Sequence, residues 1–143
     1  MRNILPISIG ISLLLSVVGA KAADFWLSER IAVLGSFAGL QYSLNPGIAW
    51  GIRFPPVIQE VLIGLALLAV FSMAWKSAKE RQLSAFGMIL GGGLANIIDR
   101  IQDGYVTDFI QIGSFPIFNV ADSFVTVGVL VLLVDQIVYR SAK

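Results

Sequence analysis

The sequence predicts a mainly α-helical, integral membrane fold with four transmembrane helices and a small extracytoplasmic β-sheet, and three observations support this prediction. First, 57% of the 143 residues are hydrophobic and only 13% are charged. Second, the mean hydropathy of +0.84 is far above that of soluble proteins. Third, four apolar stretches approach the length that a helix needs to cross about 30 Å of hydrocarbon. Little remains outside these stretches, so residues 1–143 are expected to form a single membrane domain.

The apolar stretches predict transmembrane helices at about residues 4–21, 57–75, 83–98 and 120–139. Cations cluster in the short flanks on one side of this bundle: Arg2, Lys76, Lys79, Arg81, Arg140 and Lys143. Cytoplasmic flanks of membrane proteins carry an excess of Lys and Arg, so this side is predicted to be cytoplasmic. Loops 22–56 and 99–119 would then lie on the outer side of the membrane.

The first helix allows a second interpretation. Arg2, the apolar run that follows it and Ala20-Lys21-Ala22 resemble the three regions of a cleavable secretory signal. Removal of this segment would leave the orientation of the other three helices unchanged, so the charge pattern is compatible with both interpretations.

The first outer loop is too apolar to be a solvated linker. Residues 31–42 read IAVLGSFAGLQY, in which Gly35 and Gly39 interrupt a run of β-forming residues. This composition predicts a small sheet that lies against the membrane surface. An interfacial helix is an alternative, because short apolar runs do not distinguish a helix from a strand.

The composition restricts the chemistry that this chain can perform with its own side chains. There is no cysteine and no histidine, which excludes thiol nucleophiles, Ser-His-Asp triads and histidine-bearing metal sites. The net charge of +1 provides no basic excess for a nucleic-acid partner. An enzyme of this composition would use carboxylates, or a neutral lysine beside a serine. Lys21 is the only lysine on the predicted outer side, and no sequence feature brings a serine to it.

The densest polar segment covers residues 91–122. It begins with three successive glycines at positions 91–93, and small residues of this kind allow transmembrane helices to approach until their backbones touch. Asp99 and Arg100 follow at the outer end of the predicted third helix. Because an adjacent arginine lowers the pKa of a carboxyl group, we expect these two to pair and Asp99 to serve as scaffold.

Asp108 and Asp122 are the carboxylates best suited to catalysis. Asp108 lies in the apolar run 106–110 with no cation within four residues, so burial should raise its pKa. Asp122 opens the fourth helix, where an ordinary helix cap is an equally good interpretation of its position. The two lie 14 residues apart, on a loop and on the helix that follows it. Two neighbouring carboxyl groups share a proton and supply one acid and one base, which can activate water against a peptide carbonyl.

At these residues the chain resembles the lipoprotein signal peptidases, also called signal peptidase II. The Asn-x-x-Asp-Arg element of that family is matched by Asn96, Asp99 and Arg100. The Gly-x-Val-x-Asp-Phe element is matched by Gly104, Val106, Asp108 and Phe109. The Phe-Pro-x-Phe-Asn-x-Ala-Asp-Ser element is matched within residues 115–123, and residues 45–51 resemble the Asn-x-Gly-x-Ala-Phe stretch. The likeness therefore spans nearly the whole chain.

The resemblance implies four transmembrane helices, a small extracytoplasmic sheet that forms a cradle, and Asp108 and Asp122 as the catalytic pair. It also implies residues that line or brace the site: Lys21, Asn45, Gly47, Asn96, Asp99, Arg100 and Asn119. The implied substrate is a membrane-tethered prolipoprotein with diacylglycerol on the cysteine after its signal peptide. The cut would fall just before that cysteine, at the outer face of the bacterial cytoplasmic membrane. No metal, other cofactor or nucleic acid is implied, and the chain is expected to work as a monomer among membrane lipids.

One position departs from the family pattern, which has an aspartate four residues before a lysine in the first helix. Lys21 matches the lysine, but position 17 is valine. This departure favours, as an alternative, a catalytically impaired homologue that binds lipoproteins. A proton-coupled carrier would use the same acids as relays, but carriers usually contain inverted repeats or broken helices, and neither is visible in this sequence.

Overall fold

The computed structural model describes residues 3–47 and 55–140. These residues form four helices and three strands, in chain order α1 Ile4–Trp26, β1 Ile31–Leu34, β2 Ala38–Asn45, α2 Pro56–Lys76, α3 Glu80–Asp103, β3 Val106–Ile112 and α4 Val120–Arg140. Residues 48–51 of the outer-loop motif and the predicted flanking cations Arg2 and Lys143 lie outside the described ranges.

Three of the described helices, α1, α2 and α4, are long and apolar enough to cross a membrane. The predicted third transmembrane helix, 83–98, lies within α3, which is less apolar than these three helices. Helix α3 packs against each of the other three helices, so much of its polar and small surface faces protein. The prediction of four helices is confirmed, whereas a membrane crossing by each of them stays a prediction.

Three successive glycines let α3 approach its neighbours closely, as the sequence predicts. A Cβ atom on Gly91 would lie 2.6 Å from the backbone oxygen of Ile9 on α1. A Cβ atom on Gly92 would lie 2.5 Å from the backbone oxygen of Ala121 on α4, and Gly93 faces α2. Each glycine therefore contacts a different helix, and α3 lies at the centre of the bundle.

The three strands form one antiparallel sheet in the order β1, β2, β3. The apolar segment 31–42 belongs to a β-hairpin, so the predicted sheet is confirmed and the interfacial helix is wrong. Gly35 lies in the turn with a φ of +56°, a left-handed conformation that glycine adopts without strain. Asp108 was expected on a loop but lies on β3, because the backbone of this apolar segment pairs with β2.

Helix α1 extends beyond its predicted end at residue 21 and continues to Trp26. Lys21 forms an ion pair of 3.0 Å with Asp24, an i,i+3 contact that supports the last turns. Ala23 is buried against the rest of the domain. The segment 20–22, which resembles a cleavage site, therefore lies inside a continuous and packed helix.

A buried carboxylate ties the helices together at the end of the bundle opposite the sheet. Asp135 of α4 is 2% exposed and accepts hydrogen bonds from Arg81, from Gln82 Nε2 over 2.6 Å and from Lys79 Nζ over 3.3 Å. The three donors lie in or beside the first turn of α3. This Asp135 cluster fastens the turn between α2 and α3 to α4, and no sequence pattern singled it out.

Replacing Gly91 by alanine should lower the thermal unfolding temperature of the protein in detergent micelles. Alanine favours a helix over glycine by about 1 kcal/mol. At this contact, however, the backbone of α1 must shift, and overpacking of this kind costs roughly 1–3 kcal/mol.

Gly64→Ala is the matched control, because a Cβ atom on Gly64 of α2 would meet nothing within 4 Å. That variant should unfold at or slightly above the temperature of the parent. A Gly91→Ala protein that is as stable as Gly64→Ala would contradict the close approach of α1 and α3.

Candidate active site

Asp108 is buried where the sheet meets the helix bundle, with 2% of its surface exposed. Strand pairing sets it opposite Ser43, so Asn45, two residues further along β2, points to the same face. Asn45 Nδ2 donates to Asp108 Oδ2 over 3.0 Å. Asn119 Nδ2 donates to Asp108 Oδ1 over 2.9 Å. Each carboxyl oxygen therefore accepts one amide hydrogen bond.

Asp122 lies in the first turn of α4 and takes part in the cap of that helix. Its Oδ2 accepts a hydrogen bond from the backbone N–H of Asn119 over 3.3 Å, and Asn119 Oδ1 accepts one from the backbone N–H of Asp122 over 2.9 Å. This reciprocal pair is a capping box, so the helix-cap interpretation is correct for the local structure. Asp122 Oδ1 also accepts from Asn96 Nδ2 over 2.9 Å. The carboxylate is thus held by α3 as well as by its own helix.

Asn119 joins the two aspartates. Its Nδ2 group donates to Asp108 and, over 3.1 Å, to Asn96 Oδ1, while its Oδ1 accepts from Asp122. The side chain of Asn119 is buried. Its two polar atoms and the backbone N–H of the same residue are therefore all hydrogen-bonded within the site. One residue at the start of α4 sets the position of both carboxyl groups.

Burial raises the pKa of Asp108 to about 7, as the sequence predicts in direction. The negative charge of Asp122 also raises this pKa, whereas hydrogen bonds from Asn45 and Asn119 and the positive charge of Arg100 lower it. The carboxyl group of Asp108 can therefore hold or release a proton near neutral pH, which is what an acid–base catalyst needs.

Arg100 braces the site from α3 without touching either aspartate. Its Nη2 donates to the backbone oxygen of Gly47 over 3.0 Å, and its Nη1 pairs with Glu60 Oε1 of α2 over 3.2 Å. The backbone N–H of Gly47 donates to Asn45 Oδ1 over 2.9 Å. Because the oxygen of Asn45 is occupied in this way, its NH2 group faces Asp108.

The expected ion pair between Asp99 and Arg100 is wrong. Asp99 Oδ1 lies 3.6 Å from Lys21 Nζ on α1, and its Oδ2 accepts from the backbone N–H of Thr107 over 2.7 Å. Successive helical residues point about 100° apart, so Asp99 faces α1 and β3 whereas Arg100 faces Glu60. Asp99 is still scaffold by its contacts, but its cation is Lys21.

The predicted site residues form two groups of polar contacts, which are adjacent where Thr107 precedes Asp108 in β3. Lys21 and Asp99 belong to one group. The other contains Asn45, Gly47, Asn96, Arg100, Asp108, Asn119 and Asp122. Their catalytic roles stay predictions. Asp24 contacts the first group and Glu60 the second, and neither was predicted. Glu60 is the one carboxylate in the apolar stretch of α2, and that signal could have identified it.

Comparisons with known proteins point to one family. Residues 10–138 match the family model described as Signal peptidase (SPase) II. The chain is 38% identical over 131 residues to a lipoprotein signal peptidase of Chlorobium luteolum, covering 79% of this chain and 78% of the relative. It is 38% identical over 118 residues to a lipoprotein signal peptidase of Caldicellulosiruptor bescii, covering 79% and 76%. A bacterial membrane enzyme solved by the in meso method at 2.3 Å resolution superposes with a TM-score of 0.85 at 27% identity, covering 97% of this chain and 92% of that chain.

Asp108→Asn should change how the stability of the protein depends on pH. The folded protein keeps the Asp108 proton up to about pH 7, whereas the unfolded chain releases it near pH 4. The folded state therefore binds more protons between these values, and its stability falls as the pH rises through that window. Asparagine removes this loss, so Asp108→Asn should gain stability relative to the parent between about pH 4.5 and about pH 8.

Thermal unfolding in detergent at both pH values measures the effect. Asp103→Asn, which alters an exposed carboxylate at the end of α3, should follow the pH dependence of the parent. If the difference between Asp108→Asn and the parent is the same at both pH values, the pKa of Asp108 is not raised.

Proposed function

The chain belongs to the signal peptidase II family, and on this premise we propose that it is an aspartic endopeptidase that removes signal peptides from lipoprotein precursors. The observation that carries the aspartic mechanism is the joining of Asp108 and Asp122 through Asn119. The substrate is a precursor with diacylglycerol on the cysteine that follows the signal peptide, and the cut falls just before that cysteine. The relatives named above as lipoprotein signal peptidases support this substrate class.

The two carboxyl groups divide the proton transfers between them. Asp122 takes a proton from water as the water oxygen attacks the scissile carbonyl carbon, and Asp108 gives its proton to the carbonyl oxygen. The tetrahedral intermediate then collapses: one of its hydroxyl groups returns a proton to Asp108 as the carbonyl re-forms, the C–N bond breaks, and Asp122 gives its proton to the leaving amine. The pKa of Asp108 near 7 supports its role as the acid. Asn45 and Asn119 keep its carboxyl group oriented through both steps.

The site is proposed to lie at the outer face of the bacterial cytoplasmic membrane. Lys76, Lys79 and Arg81 lie at the opposite end of the bundle from Asp108, which by the positive-inside rule faces the cytoplasm. Near the site, Trp26 is exposed at the end of α1, as is typical of a membrane–water interface. A membrane-tethered substrate can reach a site at that depth. We expect a monomer to be active, as the family resemblance implies.

Asp108→Asn and Asp122→Asn should each abolish cleavage, because an amide can neither give nor take the required proton. Loss of one well-placed acid or base removes a factor of about 10²–10⁴ in rate. A gel-shift assay with purified protein and diacylglyceryl-modified prolipoprotein measures the loss of the signal peptide. Asp103→Asn serves as the control and should cleave at nearly the parent rate. Cleavage near the parent rate by either of the other two variants would refute the aspartate mechanism.

Single cysteines at Ala78 and Ser114 should label from opposite sides of the membrane. The chain contains no cysteine, and both positions are exposed, one between α2 and α3 and the other after β3. A membrane-impermeant maleimide should label the cysteine at 114 in intact cells and the cysteine at 78 only after permeabilisation. Labelling of both from the same side would end the proposed topology.

A further inference from the structure

Thr107, the residue before Asp108, is held at two points by carboxylates from two helices. Its backbone N–H donates to Asp99 Oδ2 of α3 over 2.7 Å. Its hydroxyl donates to Asp24 Oδ1 of α1 over 2.8 Å. Thr107 is 3% exposed, so both bonds are largely shielded from water. Strand β3, which carries the candidate acid, is thus fixed to the bundle by polar contacts at the preceding residue.

The two carboxylates that hold Thr107 share one cation. Lys21 Nζ lies 3.0 Å from Asp24 Oδ2 and 3.6 Å from Asp99 Oδ1. The Tyr42 hydroxyl of β2 donates to Asp24 Oδ1 over 3.2 Å. Asp24 therefore contacts α1, β2 and β3 at once, and Lys21 keeps its carboxylate beside that of Asp99.

Asp24 provides the carboxylate that position 17 lacks. Val17 lines a cavity of about 10 Å³ together with Lys21 and Asp99, and its apolar side chain cannot pair with Lys21. Asp24 supplies a carboxylate from the following turn and binds β3 as well, which a residue at position 17, two turns earlier, does not do in this structure. The valine therefore leaves Lys21 paired and gives no reason to expect an inactive chain.

We propose that Asp24 is a positioning residue for catalysis, which fixes β3 through the Thr107 hydroxyl so that the carboxyl group of Asp108 meets Asp122. The inference rests on the proposed function. A strand released at Thr107 would let Asp108 drift from its partner, and displacements of about 1 Å in a catalytic group can cost a factor of about 10² in rate. Because Asp24 acts through Thr107 on a reacting carboxyl group, we expect the loss to fall on kcat and not on KM.

Thr107→Val is the sharpest test, because valine keeps the shape of the side chain and the backbone bond to Asp99 but removes the bond to Asp24. We expect Thr107→Val and Asp24→Ala each to lower kcat for diacylglyceryl-modified prolipoprotein by about 10-fold to 100-fold, with KM unchanged. The double variant should be no slower than Asp24→Ala alone, because Asp24→Ala already removes the bond that Thr107→Val removes. Thr107→Ser, which restores the hydroxyl, should recover rate relative to Thr107→Val.

Tyr42→Phe is the matched control, since it removes a different hydrogen bond to Asp24 and leaves the one to Thr107; its kcat should match that of the parent. Thermal unfolding checks that each variant is folded, and Asp24→Ala tests the same bond from the acceptor side if Thr107→Val does not fold. Parent rates in both Asp24→Ala and Thr107→Val would overturn the inference. A loss in Asp24→Ala alone would also overturn it, because Asp24 would then act through Lys21. A parent protein without cleavage would instead count against the proposed function.

Discussion

The removal of the Asp108 carboxyl group from water is the constraint on which the site depends. A buried carboxyl group needs hydrogen-bond partners for its oxygens, and here one partner comes from the sheet and the other from the start of α4. The sheet and the bundle must therefore meet at this point. The position of the sheet on the bundle satisfies this polar requirement, and the anchoring of Thr107 supports it.

The donors to Asp108 are amides, and that choice controls its chemistry. An arginine or lysine in contact would hold the carboxyl group as an anion and lower its pKa strongly, whereas amide hydrogen bonds leave it near 7. An amide can point either way, so each one needs a further contact to fix it. Gly47 occupies the oxygen of Asn45, and Asp122 occupies that of Asn119. Arg100 acts one step away, through the backbone of Gly47.

Sequence alone could predict the helices and a small sheet, because long apolar runs carry strong signals. The dense polar segment also indicated residues that the structure brings close together, and their roles at the site stay predictions. Sequence alone could not assign the strand that carries Asp108, since a short apolar segment becomes a strand only when a partner strand is present. It also paired Asp99 with Arg100 from adjacency in the chain, although neighbours on a helix point in different directions. Hydropathy also does not show that α3 lies at the centre of the bundle, where its polar and small residues face other helices. Asp24 fell in the predicted outer loop, beyond the predicted end of the first helix, and no sequence signal indicated its contact with Thr107.

The Asp135 cluster at the far end of the bundle has a consequence for assembly in the membrane. A carboxylate inside a transmembrane helix is unfavourable in lipid unless it finds partners, and the partners of Asp135 lie at the start of α3. They meet only if α3 and α4 run in opposite directions, with the α2–α3 turn at the end where α4 finishes. An inverted α4 would bury Asp135 without a cation and leave Lys79 and Arg81 without that carboxylate. The cluster therefore favours the observed antiparallel arrangement of α3 and α4 over an arrangement in which α4 is inverted.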